Sequence, residues 1–326
     1  MVERNQNDDA TAGLRALSPA FAPAWGDRSP GMQTLAMLYE KGKRQQWNAA
    51  TDVDWTASGR SFGDALPDDS AFALACFDSS ALARYGRPTW DVFRWEFQSW
   101  MVSQFLPGEQ AAMIASARLV EIAPDADARL CLATQVADEA RHIEVFSRYV
   151  REKIPAPYPV SPSMAALLRD TLGDARWDMT VLGMQILIET MALAAFRFAN
   201  RTFHDDLLRG ICARVAQDES RHVSIGVLSL RGFYAGLTAS ELKERQEFMM
   251  DAANLVRQRF LLAEIWERMG VDAADGRAFA TTNELMVQYR QLICSKLVST
   301  LVNIGLMNDR LRDRFVELEL IEPTRR

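Results

Sequence analysis

Two nearly identical strings, Asp138-Glu139-Ala140-Arg141-His142 and Asp218-Glu219-Ser220-Arg221-His222, constrain this chain more than any other feature. The whole sequence holds only three histidines, and two of them close these strings. Within each string the glutamate and the histidine are three residues apart. On a helix that spacing puts them on one face, where a carboxylate oxygen and an imidazole nitrogen can meet the same ion. A further glutamate precedes each string at the same distance: Glu109 lies 139 − 109 = 30 residues before Glu139, and Glu189 lies 219 − 189 = 30 before Glu219. About thirty residues carries a chain along one helix, round a turn and back beside it to the same level. Two such hairpins would bring four glutamates and two histidines to one height in a four-helix bundle, so the fold class expected is all-α.

Glu189 lies within Val181–Phe196, a stretch otherwise almost wholly apolar. A helix apolar all round is buried, and an isolated carboxylate there would cost several kcal/mol or take up a proton. A cation beside it removes that penalty. The apolar run looks too interrupted for a membrane span.

Periodicity predicts long helices near 88–122, 126–153, 176–202, 205–234, 239–269 and 278–317, with a short one over 32–47. Thr89 is a candidate cap, Pro124 with Asp125 and Asp127 separates two helices, and Thr238-x-x-Glu241 fits a capping box. Residues 1–31 read as an arm without periodicity and 48–69 as loop, while Pro155, Pro157, Pro159 and Pro162 break the chain between the two hairpins. The organisation expected is an N-terminal arm over 1–70, a metal-holding bundle over 71–235, and C-terminal helices over 236–326 that pack on the bundle or form a homodimer interface.

A formal charge of −6 supplies no broad basic footprint, which argues against nucleic acid or an anionic membrane as partner. Cys76, Cys131, Cys212 and Cys294 are scattered without a CxxC pair and read as reduced thiols. The opening MVERNQNDDA lacks the basic and apolar regions of a signal peptide, so a cytoplasmic protein is expected.

Charge balance points to the ions: four carboxylates contribute −4, two neutral imidazoles nothing, and two divalent cations bring the site to zero. Mixed oxygen and nitrogen ligands favour iron or manganese over calcium or structural zinc. Iron is the first choice, with manganese or a mixed Mn/Fe pair behind it. Asp138 and Asp218 are natural acceptors for an imidazole N–H, and Arg141 and Arg221 could neutralise them. His204, outside both strings, reads as a loop or helix-start residue.

Gly108-Glu109-Gln110-Ala111-Ala112, followed by Asp138–His142, resembles the first ligand pair of bacterial multicomponent monooxygenase hydroxylases, and Glu189 with Asp218–His222 resembles the second. Over about residues 88–234 the chain is similar to the di-iron carboxylate branch of the ferritin-like superfamily, which also includes ribonucleotide reductase small subunits. The resemblance implies a ferritin-like four-helix bundle, with the additional terminal helices outside it. It also implies two iron ions held by Glu109, Glu139, His142, Glu189, Glu219 and His222. Glu139 and Glu219 would bridge, and Glu109 and Glu189 would be more terminal. Phe146 stands where the reductase subunits place a radical-forming tyrosine, and Val215 where arylamine N-oxygenases carry an extra histidine.

One turn from the ligands, Phe105, Met113, Gln185, Ile186, Leu193 and Phe196 are candidate walls of a substrate pocket, with Ala112 and Ala192 leaving space. The activity expected is O2-dependent oxidation of a small organic substrate by hydroxylation, N-oxygenation or desaturation. Electrons would come from outside, from a reductase, a ferredoxin or a small reductant, since no flavin, nicotinamide or iron–sulfur motif is present. The competing readings are a ferroxidase or iron-handling protein with the same ligands, and a helical scaffold whose metal is structural.

Overall fold

The computed structural model describes residues 30–57 and 60–323, so most of the expected N-terminal arm lies outside the described residues. Among the described residues there is no strand. Twelve α-helices are seen there: α1 Pro30–Arg44, α2 Ala71–Asp78, α3 Pro88–Ile122, α4 Ala126–Lys153, α5 Pro162–Gly173, α6 Trp177–Thr202, α7 Asp206–Leu230, α8 Ala239–Arg259, α9 Ala263–Met269, α10 Ala273–Thr282, α11 Glu284–Asn303 and α12 Asp309–Glu317.

The bundle consists of the hairpins α3/α4 and α6/α7, joined where α4 packs on α7. Their turns follow from local chemistry. Asp125 caps α4 by accepting from the Ala128 N–H at 2.7 Å, and Asp205 caps α7 by accepting from the Leu207 N–H at 2.9 Å. Thr89, expected as a cap for α3, does not act as one. Pro88 occupies the first turn, where its missing N–H costs nothing, and the Thr89 hydroxyl donates instead to the Tyr85 carbonyl at 3.1 Å. Pro107 sits inside α3 and removes one backbone donor just before Glu109.

Helix α1 lies across α4 and α7 and brings the segment after it to the metal-ligand face. On the other side α5, α8, α9 and α11 cover the bundle: α9 packs on α3, α8 on α5, and α11 on α6. Three departures from the expected elements have local causes. The proline cluster ends by starting a helix, because Ser161 caps α5 and Pro162 takes its first position. The expected helix over 239–269 is cut after Arg259, where Leu262 adopts a left-handed backbone at φ 55°. The one expected over 278–317 divides at Asn283, whose side chain caps α11, and again at Gly305 with φ 79°. The Thr238–Glu241 capping box is present as expected.

By length and composition α6 is apolar enough to cross a membrane, contrary to the reading that it is too interrupted. Its apolar window is 78% buried within the protein, which is the environment of a bundle core helix. Within it, Leu182–Ile188 is wound as a π-helix that ends at Glu189. Periodicity carries no signal for that extra residue per turn, which alters the direction of the side chains preceding Glu189.

The π-helical stretch lies close against α7 at Gly226, where an added Cβ would fall 2.6 Å from the Gln185 Cβ and 3.2 Å from the Ile186 Cδ1. The first of these atoms is fixed to the backbone and cannot swing away. Gly226→Ala therefore destabilises the protein: overpacking costs about 1–3 kcal/mol, against roughly 1 kcal/mol of gained helix propensity. A lowered denaturant midpoint is the expected result, and an unchanged or raised midpoint would show that α6 and α7 are not in tight register there.

Candidate metal centre

Four helices each contribute to one buried cluster: Glu109 from α3, Glu139 and His142 from α4, Glu189 from α6, and Glu219 and His222 from α7. The six residues form two overlapping groups, Glu109-Glu139-His142-Glu219 and Glu139-Glu189-Glu219-His222, with one ligand atom from each member lying within 4.8 Å of the others. Glu139 and Glu219 belong to both, the position a bridging carboxylate needs. All six residues predicted as ligands are thus brought together. His204 is not among them; it sits half-buried with its ring edge-on to Trp95, and burial followed by the Arg94 charge pulls its pKa down to about 4.

The geometry around each imidazole is that of a cation site. His142 Nδ1 is 3.2 Å from Glu109 Oε2, 3.2 Å from Glu139 Oε2 and 3.3 Å from Glu219 Oε1. His222 Nδ1 is 3.2 Å from Glu189 Oε2, 3.2 Å from Glu219 Oε2 and 3.1 Å from Glu139 Oε1. One N–H cannot point at three oxygens, whereas one cation can accept four lone pairs converging from these directions.

The opposite ring nitrogens fix the tautomer, and they do so crosswise. His142 Nε2 is 3.1 Å from Asp218 Oδ2, and His222 Nε2 is 3.2 Å from Asp138 Oδ2, so each aspartate orients the histidine of the other helix. A proton on Nε2 leaves Nδ1 free to bind metal. Arg141 donates to Asp138 at 2.6 Å and to Asp218 at 3.0 Å, while Arg221 donates to Asp138 at 2.9 Å and Asp218 at 2.7 Å. The two arginines balance the two aspartates, leaving the four glutamates to be balanced by the ions.

Sequence reasoning missed a second layer of partners. Gln46 Nε2 donates to Asp138 at 2.8 Å and its Oε1 accepts from Arg141 at 2.7 Å. The Trp47 indole N–H donates to Asp218 at 2.8 Å, with its ring stacked near His142, and Gln45 Oε1 accepts from Arg221 at 3.1 Å. Gln135 Nε2 donates to Glu139 at 3.1 Å and Glu189 at 2.8 Å. Gln135 stands one turn before Glu139 and was legible by spacing; nothing in the sequence tied Gln45–Trp47 to partners between 92 and 176 residues on.

Burial pushes Glu109 and Glu189 well above the usual carboxylate range, with the charges of Glu219 and Glu139 adding to it. Burial acts the same way on Glu139 and Glu219, but the neighbouring imidazoles outweigh it and hold both carboxyls low. Burial opposes charge on the imidazoles as well, yet hydrogen bonds to Asp218 and the glutamates raise His142, and the charges of Glu219, Glu139 and Glu189 raise His222. Metal-free, the cluster neutralises itself with protons.

A cavity of about 80 Å³ adjoins the cluster, walled by Glu109, Glu189 and Glu219 and by apolar side chains including Phe105, Ala112, Ala192 and Phe196. Phe105 and Phe196 are where the sequence placed them, but Met113, Gln185, Ile186 and Leu193 do not line it. Met113 is turned to the half-exposed flank of α3, and Leu193 is in the bundle core. Gln185 and Ile186 face Gly226 of α7, because the π-helical winding invalidates a count of one α-turn back from Glu189. Phe146, at the place of a radical tyrosine, is fully buried and stacks on Phe196 with ring centroids 5.6 Å apart; Val215 is a core residue.

No family model and no curated protein matches the sequence. Solved structures do match the fold. It is similar to an R2-like ligand-binding oxidase with an aerobically reconstituted Mn/Fe cofactor, at 16% identity and a TM-score of 0.53, over 84% of this chain and 92% of that one. It is also similar to a point mutant of an R2-like ligand-binding oxidase with an aerobically reconstituted Fe/Fe cofactor, at 15% identity and a TM-score of 0.53, over 84% and 93%. The chain shares the all-α, ferritin-like fold of these structures, and its carboxylate–histidine cluster has the donors to hold metal.

The raised histidines and raised Glu109 and Glu189 set the sign of a pH effect. These groups keep protons at pH values where the free side chains would shed them, and a cation must displace those protons. Adding Mn(II) or anaerobic Fe(II) to metal-free protein should therefore release protons into a weakly buffered indicator solution, with affinity rising with pH. Binding without proton release would contradict this electrostatic account.

Proposed function

We propose that this protein is a non-haem dimetal oxidase that uses O2 to oxidise a small organic substrate. The observation that carries the reading is the shared wall: three of the four cluster carboxylates, Glu109, Glu189 and Glu219, face a cavity otherwise lined mainly by apolar side chains. A protein that only collected and released iron would need a polar exit there.

The same ligand-binding oxidases supply the cofactor classes, Mn/Fe and Fe/Fe, and this donor set suits both. When bound, the pair of ions would supply a place for O2 and the electrons to reduce it. The chain's own residues do the rest. Glu139 and Glu219 join the two positions, Asp138 and Asp218 hold the imidazole protons at Nε2, and Gln135 ties Glu139 to Glu189. Phe105, Phe146 and Phe196 pack together beside the cluster and exclude water from it. The cavity is about half the size of one that takes benzene, ~150 Å³, which suits O2 with a slender apolar group. Substrate oxidation proceeds by hydroxylation, N-oxygenation or desaturation, with electrons from a separate reductase, ferredoxin or small reductant. We place the protein in the cytoplasm, where its four buried thiols stay reduced.

The test is O2 consumption by protein loaded with Fe(II), or with Mn(II) and Fe(II), in the presence of reductant and a panel of small organic compounds. Coupled formation of an oxidised organic product is expected, lost at least about 100-fold in Glu189→Ala together with metal binding. O2 uptake with release of ferric iron and no organic product would make the protein an iron oxidase instead.

A further inference from the structure

A second cavity, of about 620 Å³, lies away from the cluster, between α2, the first turns of α3, the end of α6 and α11. None of the six metal-ligand residues lines it. Its Phe97 precedes Glu109 by 109 − 97 = 12 residues and its Phe198 follows Glu189 by 198 − 189 = 9, roughly 18 and 13 Å along their helices at 1.5 Å per residue. A molecule held here is well apart from the carboxylates.

Six aromatic rings form its walls: Trp90, Phe93 and Phe97 from α3, Phe198 and Phe203 at the end of α6, and Tyr289 from α11. Spacings of three and four residues put the first three on one face of α3, with successive ring centroids 5.5 and 5.7 Å apart. Tyr289 meets Phe97 at 5.3 Å and Phe198 at 4.7 Å. Rings gathered only to fill a core would close on one another, because interiors pack to crystal density and leave few voids larger than a water molecule. Here they stand round a space of the size that takes small ligands, ~300–1,000 Å³. Leu292, on the same wall as Tyr289, is exposed and marks its mouth.

The polar groups narrow the chemistry. Arg94 is buried, but its charge is already answered: Nη1 donates to the Pro67 carbonyl at 2.9 Å and to Asp91 at 3.0 Å, and Nε lies 3.4 Å from Asp69. Asp69 in turn accepts from the Trp90 indole at 3.2 Å and from the Ser70 N–H at 2.7 Å. Arg201 lies at the exposed edge. The interior thus offers an ion no unanswered charge. His204 is the exception among these groups. Its backbone N–H donates to Gln98 at 3.0 Å, but its ring makes no hydrogen bond among the described residues and only meets Trp95 edge-on at 5.9 Å. Burial and the Arg94 charge keep the imidazole neutral, so it has one N–H and one lone pair to give.

We propose that this cavity is a binding site for an uncharged aromatic compound of two or more fused rings, which packs among the six aromatic side chains and hydrogen-bonds to His204. Offset and edge-to-face contacts reward a flat ring over a saturated one of the same size. The volume is about four times that of a cavity that takes benzene, ~150 Å³, which sets the size of the ring system. The site stands independently of the oxidase reading. Among the described residues Tyr289 alone lines both this space and the cavity beside the cluster.

Calorimetric titration of the full-length protein with 2-naphthol, decahydro-2-naphthol, naphthalene and 2-naphthoate tests this, with and without Mn(II). Wild type should bind 2-naphthol at least about tenfold more tightly than its saturated analogue, the scale of two or three aromatic contacts. It should prefer 2-naphthol to naphthalene about fivefold, the scale of one neutral hydrogen bond. His204→Phe should lose the second preference and keep the first, and Mn(II) should change neither. In crystals grown with 6-bromo-2-naphthol, the bromine should lie between α3 and α11. The proposal is overturned by equal affinity for the flat and saturated alcohols, or by a hydroxyl preference that survives in His204→Phe. Tighter binding of 2-naphthoate would put the ligand on Arg201 and overturn the uncharged class. Bromine at the cluster cavity or only on the surface also overturns it, as does an affinity that falls with rising protein concentration, the sign that a second copy covers the mouth. Should His204→Phe fail to fold, the wild-type series and the bromine position still decide.

Discussion

Four carboxylates buried within reach of one another are the least stable thing a helical bundle can hold, and the rest of this structure is arranged around making them tolerable. Glu109, Glu139, Glu189 and Glu219 are all nearly inaccessible to water. Like charges at such separation in a low-dielectric interior repel by more than the whole stability of a typical domain can absorb. Either protons or cations must be present. The Asp138–Arg141 and Asp218–Arg221 square neutralises itself, so it can orient the imidazoles without drawing on the charge that the glutamates reserve for metal. The crossed pattern also locks α4 to α7, since each histidine depends on the other helix for its tautomer.

How much of this was legible in the sequence depended on whether a feature repeats. The duplicated string and its matched glutamates carry their own spacing, and spacing on a helix is geometry, so the hairpins and the six converging residues could be read from the chain. The capping chemistry of Asp125 and Thr238 was legible for the same local reason. What stayed hidden is non-periodic. Gln45–Trp47 reaches the aspartates across a long loop closure, and no local pattern encodes which loop meets which helix. The π-helical winding of Leu182–Ile188 costs one residue of register, which is why Gln185 and Ile186 were assigned to the cavity and instead press on α7. The proline cluster was read as a break because proline ends helices more visibly than it begins them, although Pro162 does the latter.

The C-terminal helices change what the bundle can be used for. A bare four-helix bundle would leave the flank of α3 and α6 open to water beside the ligands. Here α5, α8 and α11 close it, and the aromatic contacts of Tyr289 with Phe97, Phe198 and Phe260 seal the seam between them. Enclosure strengthens every electrostatic interaction among the ligands inside.

The internal duplication also stops short of making the two metal positions equivalent. Both offer a histidine, a private glutamate and the two shared ones. Adding the repeat distance of 80 residues, 218 − 138, to Gln135 gives Val215, so the amide that ties Glu139 to Glu189 has no counterpart beside Glu219. The same shift turns Phe146 into Gly226, placing an aromatic ring behind His142 and a tight backbone approach behind His222. The π-helical stretch belongs only to the helix bearing Glu189. Equal ligands in unequal surroundings would give two ions different ligand freedom and different access to the cavity. The two positions are therefore chemically distinguishable even where the ligand lists are the same, and an unequal pair of cations would have a physical basis for its order.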